Sequence, residues 1–436
     1  LNLNYTPSKK WRHTGFLIAS ASDNELGSNS LRTYLNAGDN VQEKLNSVSQ
    51  VENKSALGKY TLTFTPKDET YVKYSLFGKI SEIANSNQQQ SDFGQNLQNI
   101  ASLNTRTPYS LQQKLEWFHA PSEQHVFSTE INWESKFADP LFDLQTNLRP
   151  LLGLYAIPDA QTYRLFQSQE LRTNTLEGAF NYYYILNPTN HLNWSLGYQN
   201  FSQSLTGALR QENSTQSFDA FKNDNEFVLQ DVYLGTTWKT KWKKGVLSPS
   251  VFLHRYAWRD QQIAGQHSFS KILALPGMYA KWDIKSNRSL TYRFQTEANF
   301  MDIQKLAQGL VLQDYNAVFQ GNRALDNGLF DTHTLSYTHF DMFSGLTMFG
   351  NLNYQRKRNE ITTTTDFAGI NRLLSLINIQ PVNETLNGDI RLDKALNKLK
   401  FELGGRWNAF STNLILDDRP TQNQQFSQTY DTRLTT

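Results

Sequence analysis

Tyr183-Tyr184-Ile185-Leu186-Asn187-Pro188-Thr189-Asn190-His191-Leu192-Asn193-Trp194-Ser195-Leu196-Gly197-Tyr198-Gln199-Asn200-Phe201 reads as a β-hairpin. Two runs of strand-forming residues flank Asn187 to Asn190, which supplies a turn because Pro fixes φ and Asn tolerates unusual backbone angles. After the turn, Leu192, Trp194, Leu196 and Tyr198 fall on one face, and Asn193, Ser195, Gly197 and Gln199 on the other. A period of two marks a strand with one apolar face. Where that face points, into a protein core or into lipid, decides the function.

The same unit recurs along the chain. Short turns are expected at Pro7 to Lys10, Pro66 to Glu69, Pro121 to Gln124, Lys243 to Gly245, Lys285 to Arg288, Asp341 to Gly345 and Asp393 to Lys398. Longer polar connections are expected at Asp23 to Asn40 and Asn85 to Asn104, and at residues 139–161, 207–225, 299–328, 363–380 and 414–423. Short turns at one end and long loops at the other are what an outer-membrane barrel requires, and a soluble sandwich has no reason for them. Trp11, Trp117, Trp194, Trp238, Trp242 and Trp282 lie near short turns, where a girdle at the lipid boundary would place them; Trp133, Trp258 and Trp407 do not.

Facing agrees. Val232, Leu234, Trp238 and Trp242 share a face opposite Asp231, Tyr233, Thr237, Lys239 and Lys241. Leu399, Phe401, Leu403, Trp407 and Ala409 oppose Lys400, Glu402, Arg406 and Asn408. Charges facing a lumen cost little, so the apolar face belongs against lipid. The fold class is therefore all-β, an antiparallel transmembrane β-barrel occupying residues 1–436 as one domain, with about 16 or 17 strands.

Composition narrows the alternatives. The 436 residues are 38% hydrophobic and 13% aromatic, with no uncharged apolar run long enough for a membrane helix. A net charge of +2 on dispersed basic residues leaves no footprint for nucleic acid. The absence of Cys removes disulfides, thiolate metal sites and cysteine nucleophiles.

No Gly-x-Ser-x-Gly elbow, phosphate loop or dinucleotide fingerprint occurs, and the eight His show no metal-ligand spacing. His333 and His339, on a face with Leu335 and Tyr337, read as interfacial aromatics. Glu134, Asp139, Asp389 and Asp393 read as solvated lumen or turn carboxylates, and Gly404-Gly405 as a bend or close-packing site. No enzyme, cofactor or metal is expected. Binding residues are expected on the long loops. The candidates are Arg149, Tyr155, Tyr163, Arg164 and Phe166, around an unusually apolar connection suited to folding over the barrel mouth, and Tyr315 and Arg323 on a second loop.

Tyr292-Arg293-Phe294, Ile303 to Leu306, Tyr315-Asn316, Gly321-Asn322-Arg323-Ala324-Leu325 and His333 to Tyr337 together resemble the barrel of TonB-dependent outer-membrane receptors of Bacteroidota. There a loop closes on a Gly-Asn-Pro-x-Leu element; here Arg323 stands in place of the usual Pro. The opening from Leu1 to Trp11, with Gly15-Phe16 after it, is similar to that family's early hairpin.

The resemblance implies a barrel of about 22 strands, with further strands after Thr436 and a plug before Leu1. Alone, the chain would then expose open edges and is expected to misassemble without the rest. It further implies energy-coupled import of a scarce solute, whether siderophore, glycan or peptide, in the outer membrane of a Gram-negative bacterium. The implied partners are outer-membrane lipid and lipopolysaccharide, the TonB-ExbB-ExbD complex, and a surface lipoprotein. A passive porin-like or secretion-associated barrel is the alternative, with a secreted glycan-binding β-protein further off.

Overall fold

The computed structural model describes residues 1–34, 41–93, 96–416 and 419–435. It is almost wholly β. The first strands are β1 (Asn2–Ser8), β2 (Trp11–Tyr34), β3 (Val41–Lys67), β4 (Thr70–Phe93), β5 (Asn96–Arg106) and β6 (Tyr109–His119). Next come β7 (His125–Ala138), β8 (Leu141–Thr146), β9 (Tyr163–Asn187), β10 (Asn190–Gln211), β11 (Asn223–Trp242) and β12 (Gly245–Gln262). Then follow β13 (Gly265–Lys285), β14 (Arg288–Asn299), β15 (Val311–Asp314), β16 (Ala317–Gln320), β17 (Gly328–Asp341) and β18 (Leu346–Arg358). The last are β19 (Glu360–Ala368), β20 (Asn371–Ile379), β21 (Asn383–Leu396), β22 (Leu399–Leu416) and β23 (Arg419–Thr435). Two short helical pieces interrupt them, a 3-10 turn at Asp219–Phe221 and α1 (Ile303–Leu306), and among the described residues no helix is long and apolar enough to cross a membrane.

All 23 strands belong to one sheet, where the sequence suggests 16 or 17. The excess is six short strands inside the long connections, β5, β8, β15, β16, β19 and β20. The others form an antiparallel ladder in chain order from β1 to β23, each pairing with the next. No pairing joins β1 to β23 among the described residues.

Every expected short turn is present, including the opening hairpin, where Asn187 Oδ1 accepts from the backbone N–H groups of Thr189 and Asn190 at 3.0 and 2.9 Å. The long connections differ from expectation. Asp23 to Tyr34 and most of Asn85 to Asn104 are strand, paired as β2–β3 and β4–β5. Asp23–Asn40 and Asn85–Asn104 also contain residues outside those described, at 35–40 and 94–95. Residues 207–211 continue β10, residues 363–380 hold the β19–β20 hairpin, and 414–423 is mostly the ends of β22 and β23. The residues that these stretches bury mix polar and apolar types, Gln98 with Ile100 and Leu209 with Gln211, so no clean apolar alternation announces a strand. The β12–β13 hairpin also closes on a two-residue turn at the long-loop end, where no short turn was expected.

Glu43 on β3, Gln167 on β9 and Gln262 on β12 all bond the segment between Leu306 and Tyr315, which requires the sheet to curl around that segment. The apolar face is convex and bare: Leu234 is 60% exposed, and Val232, Trp238, Trp242, Trp194 and Leu196 are exposed with it. Asp231 on the concave face is 5% exposed. From Trp242 to Val232 the convex face of β11 is bare for about ten residues, which at about 3.3 Å each and about 40° of tilt rises about 25 Å, the height of a lipid-facing band.

Candidate functional site

The buried apolar core of this molecule is made by the long connections, which fold back onto the concave face at their own end. One cluster gathers Leu151, Ile157, Tyr163, Leu165, Phe218, Phe221, Leu312, Tyr315 and Val318. A second gathers Leu205, Phe227, Trp258, Met301, Ile303, Leu306 and Leu325. In the connection from β14 to β17, Asp302 accepts from the Lys305 N–H and starts α1, and β15 and β16 form a small hairpin. β16 then pairs in parallel with β20, so two long connections share one sub-sheet inside the mouth.

Wall amides hold this cap by imitating backbone. Gln167 Nε2 donates to the Leu312 carbonyl at 3.1 Å, and the Leu312 N–H donates back to Gln167 Oε1 at 2.6 Å. Gln262 does the same to Leu306 O and Gln308 N–H, at 2.9 and 3.1 Å. Gln203 accepts from the Ile303 N–H and Asn223 from the Gly309 N–H. Buried backbone groups that an irregular loop would orphan are thereby satisfied.

The candidate residues separate on this frame. Tyr163 and Tyr315 are buried in the first cluster, Tyr155 packs edge-on against Phe221 at 5.0 Å, and Arg149 ties its own connection through the Ile157 carbonyl and Asp159. Arg164 and Phe166 lie together on the convex side of the β9 extension. There Arg164 pairs with Asp143 and Glu212, and both Arg164 and Arg210 lie over the Phe166 ring. Arg323 stands apart, bonded to the Asp260 carboxylate.

The Gly-Asn-x-x-Leu element sets the cap's corner. A Cβ on Gly321 would lie 2.5 Å from the Ala307 carbonyl oxygen, Asn322 Nδ2 donates to Leu376 O, and Leu325 is buried. Gly404 is close-packed too, against the Asp431 carboxylate.

The Tyr315 hydroxyl reaches across the mouth and donates to Glu43, which is 0% exposed and also accepts from Ser91 and faces Arg32. Beside it, burial pushes the Asp314 carboxyl up, opposed by the Tyr315 N–H and the nearby Arg372 and Arg32 guanidiniums. Tyr315→Phe removes a hydrogen bond to a charged group, worth about 1.5–3 kcal/mol. Amide exchange of Leu312 and Val318 is expected to accelerate about tenfold or more. Unchanged exchange there would show that the hairpin does not depend on this contact.

Below the second cluster, toward the short turns, lies a cavity of about 690 Å³ lined by Tyr233, Phe252, His254, Tyr256, Tyr279 and Arg293. His254 Nδ1 lies 2.8 Å from Asp231 and its ring stacks on Tyr256. Farther round the concave face, Lys73, Glu116, Lys114 and Glu130 form a chain of ion pairs at 2.8–2.9 Å. The sequence places Asp231 and Tyr233 on the polar face, but nothing in it singles out His254 or Tyr256, whose company comes from cross-strand pairing. Among the described residues no group of three or more His, Asp or Glu could hold a metal ion. His333 lies against Tyr292 and Phe294, whereas His339 is buried.

No family model and no curated protein matches this sequence. Solved structures do. The copper transporter OprC is similar with a TM-score of 0.55 at 10% identity, over 92% of this chain and 61% of that one. The ferric citrate transporter FecA gives 0.51 at 9% identity, over 91% and 59%. The ferric yersiniabactin uptake receptor FyuA from Yersinia pestis gives 0.52 at 10%, over 98% and 72%. The chain thus shares the curled antiparallel sheet of these proteins' fold, and spans about three fifths of the length of the first two.

Proposed function

We propose that this chain is the transmembrane barrel of a TonB-dependent outer-membrane receptor, of the Bacteroidota type its motifs resemble. It imports a scarce solute, whether siderophore, glycan or peptide, with energy from the TonB-ExbB-ExbD complex. The observation that carries the reading is the capped mouth. A passive pore needs a standing aqueous path, whereas here wall amides from β9 to β12 and Glu43 on β3 hold the long connections across it. A ligand must displace or exploit that cap, and the aromatic cavity beneath is the next surface it meets. The exposed residues around Arg164 and Phe166 are the outermost contacts in this scheme.

The test is uptake by cells carrying the complete protein, offered a panel of ferric siderophores, oligosaccharides and peptides. One class is expected to accumulate, and accumulation should fall to background when TonB is inactivated. Size-dependent uptake that survives TonB loss would replace this reading with a passive pore.

A further inference from the structure

Two long connections close the mouth together. Residues 300–327 run from β14 to β17, and residues 359–382 from β18 to β21. Their covalent ends lie on four strands that are neighbours in the wall, β14, β17, β18 and β21. Round β3 and β9 to β12, by contrast, the cap is bound through wall side chains, Glu43, Gln167, Gln203, Asn223, Asp260 and Gln262. These six side chains all hold the first connection, at Tyr315, Leu312, Ile303, Gly309, Arg323 and Leu306 in turn.

The second connection is joined to the first along a seam. Ala317 to Gln320 pair with Arg372 to Ser375, and asparagine side chains extend the join beyond both ends. Asn316 Nδ2 donates to the Ile370 carbonyl at 2.9 Å, and Asn322 Nδ2 to that of Leu376 at 2.8 Å. Asn378 holds the backbone of Asp326 as a paired strand would, accepting from its N–H at 2.7 Å and donating to its carbonyl at 2.8 Å. Apolar side chains cross the seam as well: Val318 and Ile370 share the first cluster, and Leu306 and Leu376 the second. At the root, Asn359 has φ 53°, a left-handed conformation that Asn tolerates, and its Nδ2 donates to the Asn327 carbonyl at 2.9 Å.

A seam of this kind transmits release. Freeing residues 300–327 while residues 359–382 stay in place would orphan the backbone groups that Asn316, Asn322 and Asn378 satisfy. Chain ends that leave the wall side by side and are bonded to each other can instead turn together about a few residues. We propose that the two connections form one flap, rooted on β14, β17, β18 and β21 and latched to β3 and β9 to β12. It releases those latches as a single body and admits the solute down the wall that carries Tyr256 and His254. The admission of a solute rests on the transport reading; the single body does not.

The experiment is hydrogen exchange read by mass spectrometry on the complete protein in mild detergent, as wild type and as Gln167→Leu/Gln262→Leu. The double variant strips backbone partners from Leu306, Gln308 and Leu312, all in the first connection. Exchange is expected to accelerate about tenfold or more in β15 and β16, and by the same factor in β19 and β20, which the substituted residues do not touch. Adding Asn322→Ala/Asn378→Ala should confine the acceleration to β15 and β16. In wild type, where exchange outruns reclosure, both hairpins should shift mass in one common population.

Separate populations in wild type overturn the single body whatever the variant does, and so does acceleration of β15 and β16 alone in the double variant. Unchanged exchange throughout overturns the latches. For the route, Ser250→Cys lines the cavity in a Cys-free background. An impermeant maleimide added outside cells should label it about tenfold faster in the latch variant, and equal labelling overturns the route. Absence of TonB-dependent uptake with the common opening intact would instead remove the transport reading and leave the flap.

Discussion

Replacing Arg323 by alanine is expected to loosen the cap by about 3–5 kcal/mol while leaving the wall intact. Arg323 donates to the Asp260 carboxylate and to the carbonyls of Asp260 and Gly265, with its side chain 9% exposed and that of Asp260 4%. Without it, among the described residues the Asp260 carboxylate keeps only the Gln262 amide, at 3.1 and 3.2 Å, and is left as a buried charge. Hydrogen exchange should accelerate from Ile303 to Leu325, because Gln262 also holds that segment and shares the strain. The double variant Asp260→Asn/Arg323→Ala should recover much of the loss, since an orphaned amide costs less than an orphaned charge. If the single variant behaves as wild type, the cap does not depend on this pair. The position is notable because the similar family places proline here; this chain holds the same corner with an ion pair.

The second large effect concerns the wall. Leu234 sits on the convex face between Leu196 of β10 and Leu253 of β12, all three bare. Leu234→Arg is expected to cost about 1–2 kcal/mol, because Leu234 lies just inside the edge of the band and the penalty of a guanidinium falls from about 2–4 kcal/mol at the middle of the hydrocarbon to about 0–1 at its boundary. Thr237→Arg, on the concave face of the same strand, should cost far less. Urea titration of the complete protein refolded into lipid bilayers measures both. A neutral Leu234→Arg beside a damaging Thr237→Arg would reverse the assignment of faces.

Much of this wall is readable in the sequence, because a strand with one apolar face betrays itself by alternation and its short turns by Pro, Asn and Gly. Val232 and Asp231 fall on opposite faces from the residues alone, and the structure agrees. What lies beyond the apolar band is not readable in that way. The β2–β3 extension is polar on both sides, so it resembles a loop until its register is seen. β15 and β16 are four residues each, and the parallel partner of β16 lies some fifty residues later, beyond any local signal.

The candidate site shows the same division. Tyr163, Tyr315 and Arg323 stand out by type and loop position, yet the structure sets them in the packing of the cap. Gln167 and Gln262, which hold that cap, look like ordinary solvent-facing amides. Their backbone partners are 145 and 44 residues away, and only the curl of the sheet brings them together.

The amide anchoring of the cap also fixes how it responds to the medium. Ionic strength weakens contacts between charges within a Debye length of about 8 Å in physiological saline, and barely touches neutral amide-to-backbone bonds. Gln167, Gln203, Asn223 and Gln262 carry no charge, and of the ion pairs that join wall to cap, Asp260 with Arg323 is nearly dry whereas Lys271 with Asp326 is half-exposed. The amide share of the fastening therefore holds alike in fresh and saline water, and the half-exposed Lys271–Asp326 pair is the part that rising salt loosens.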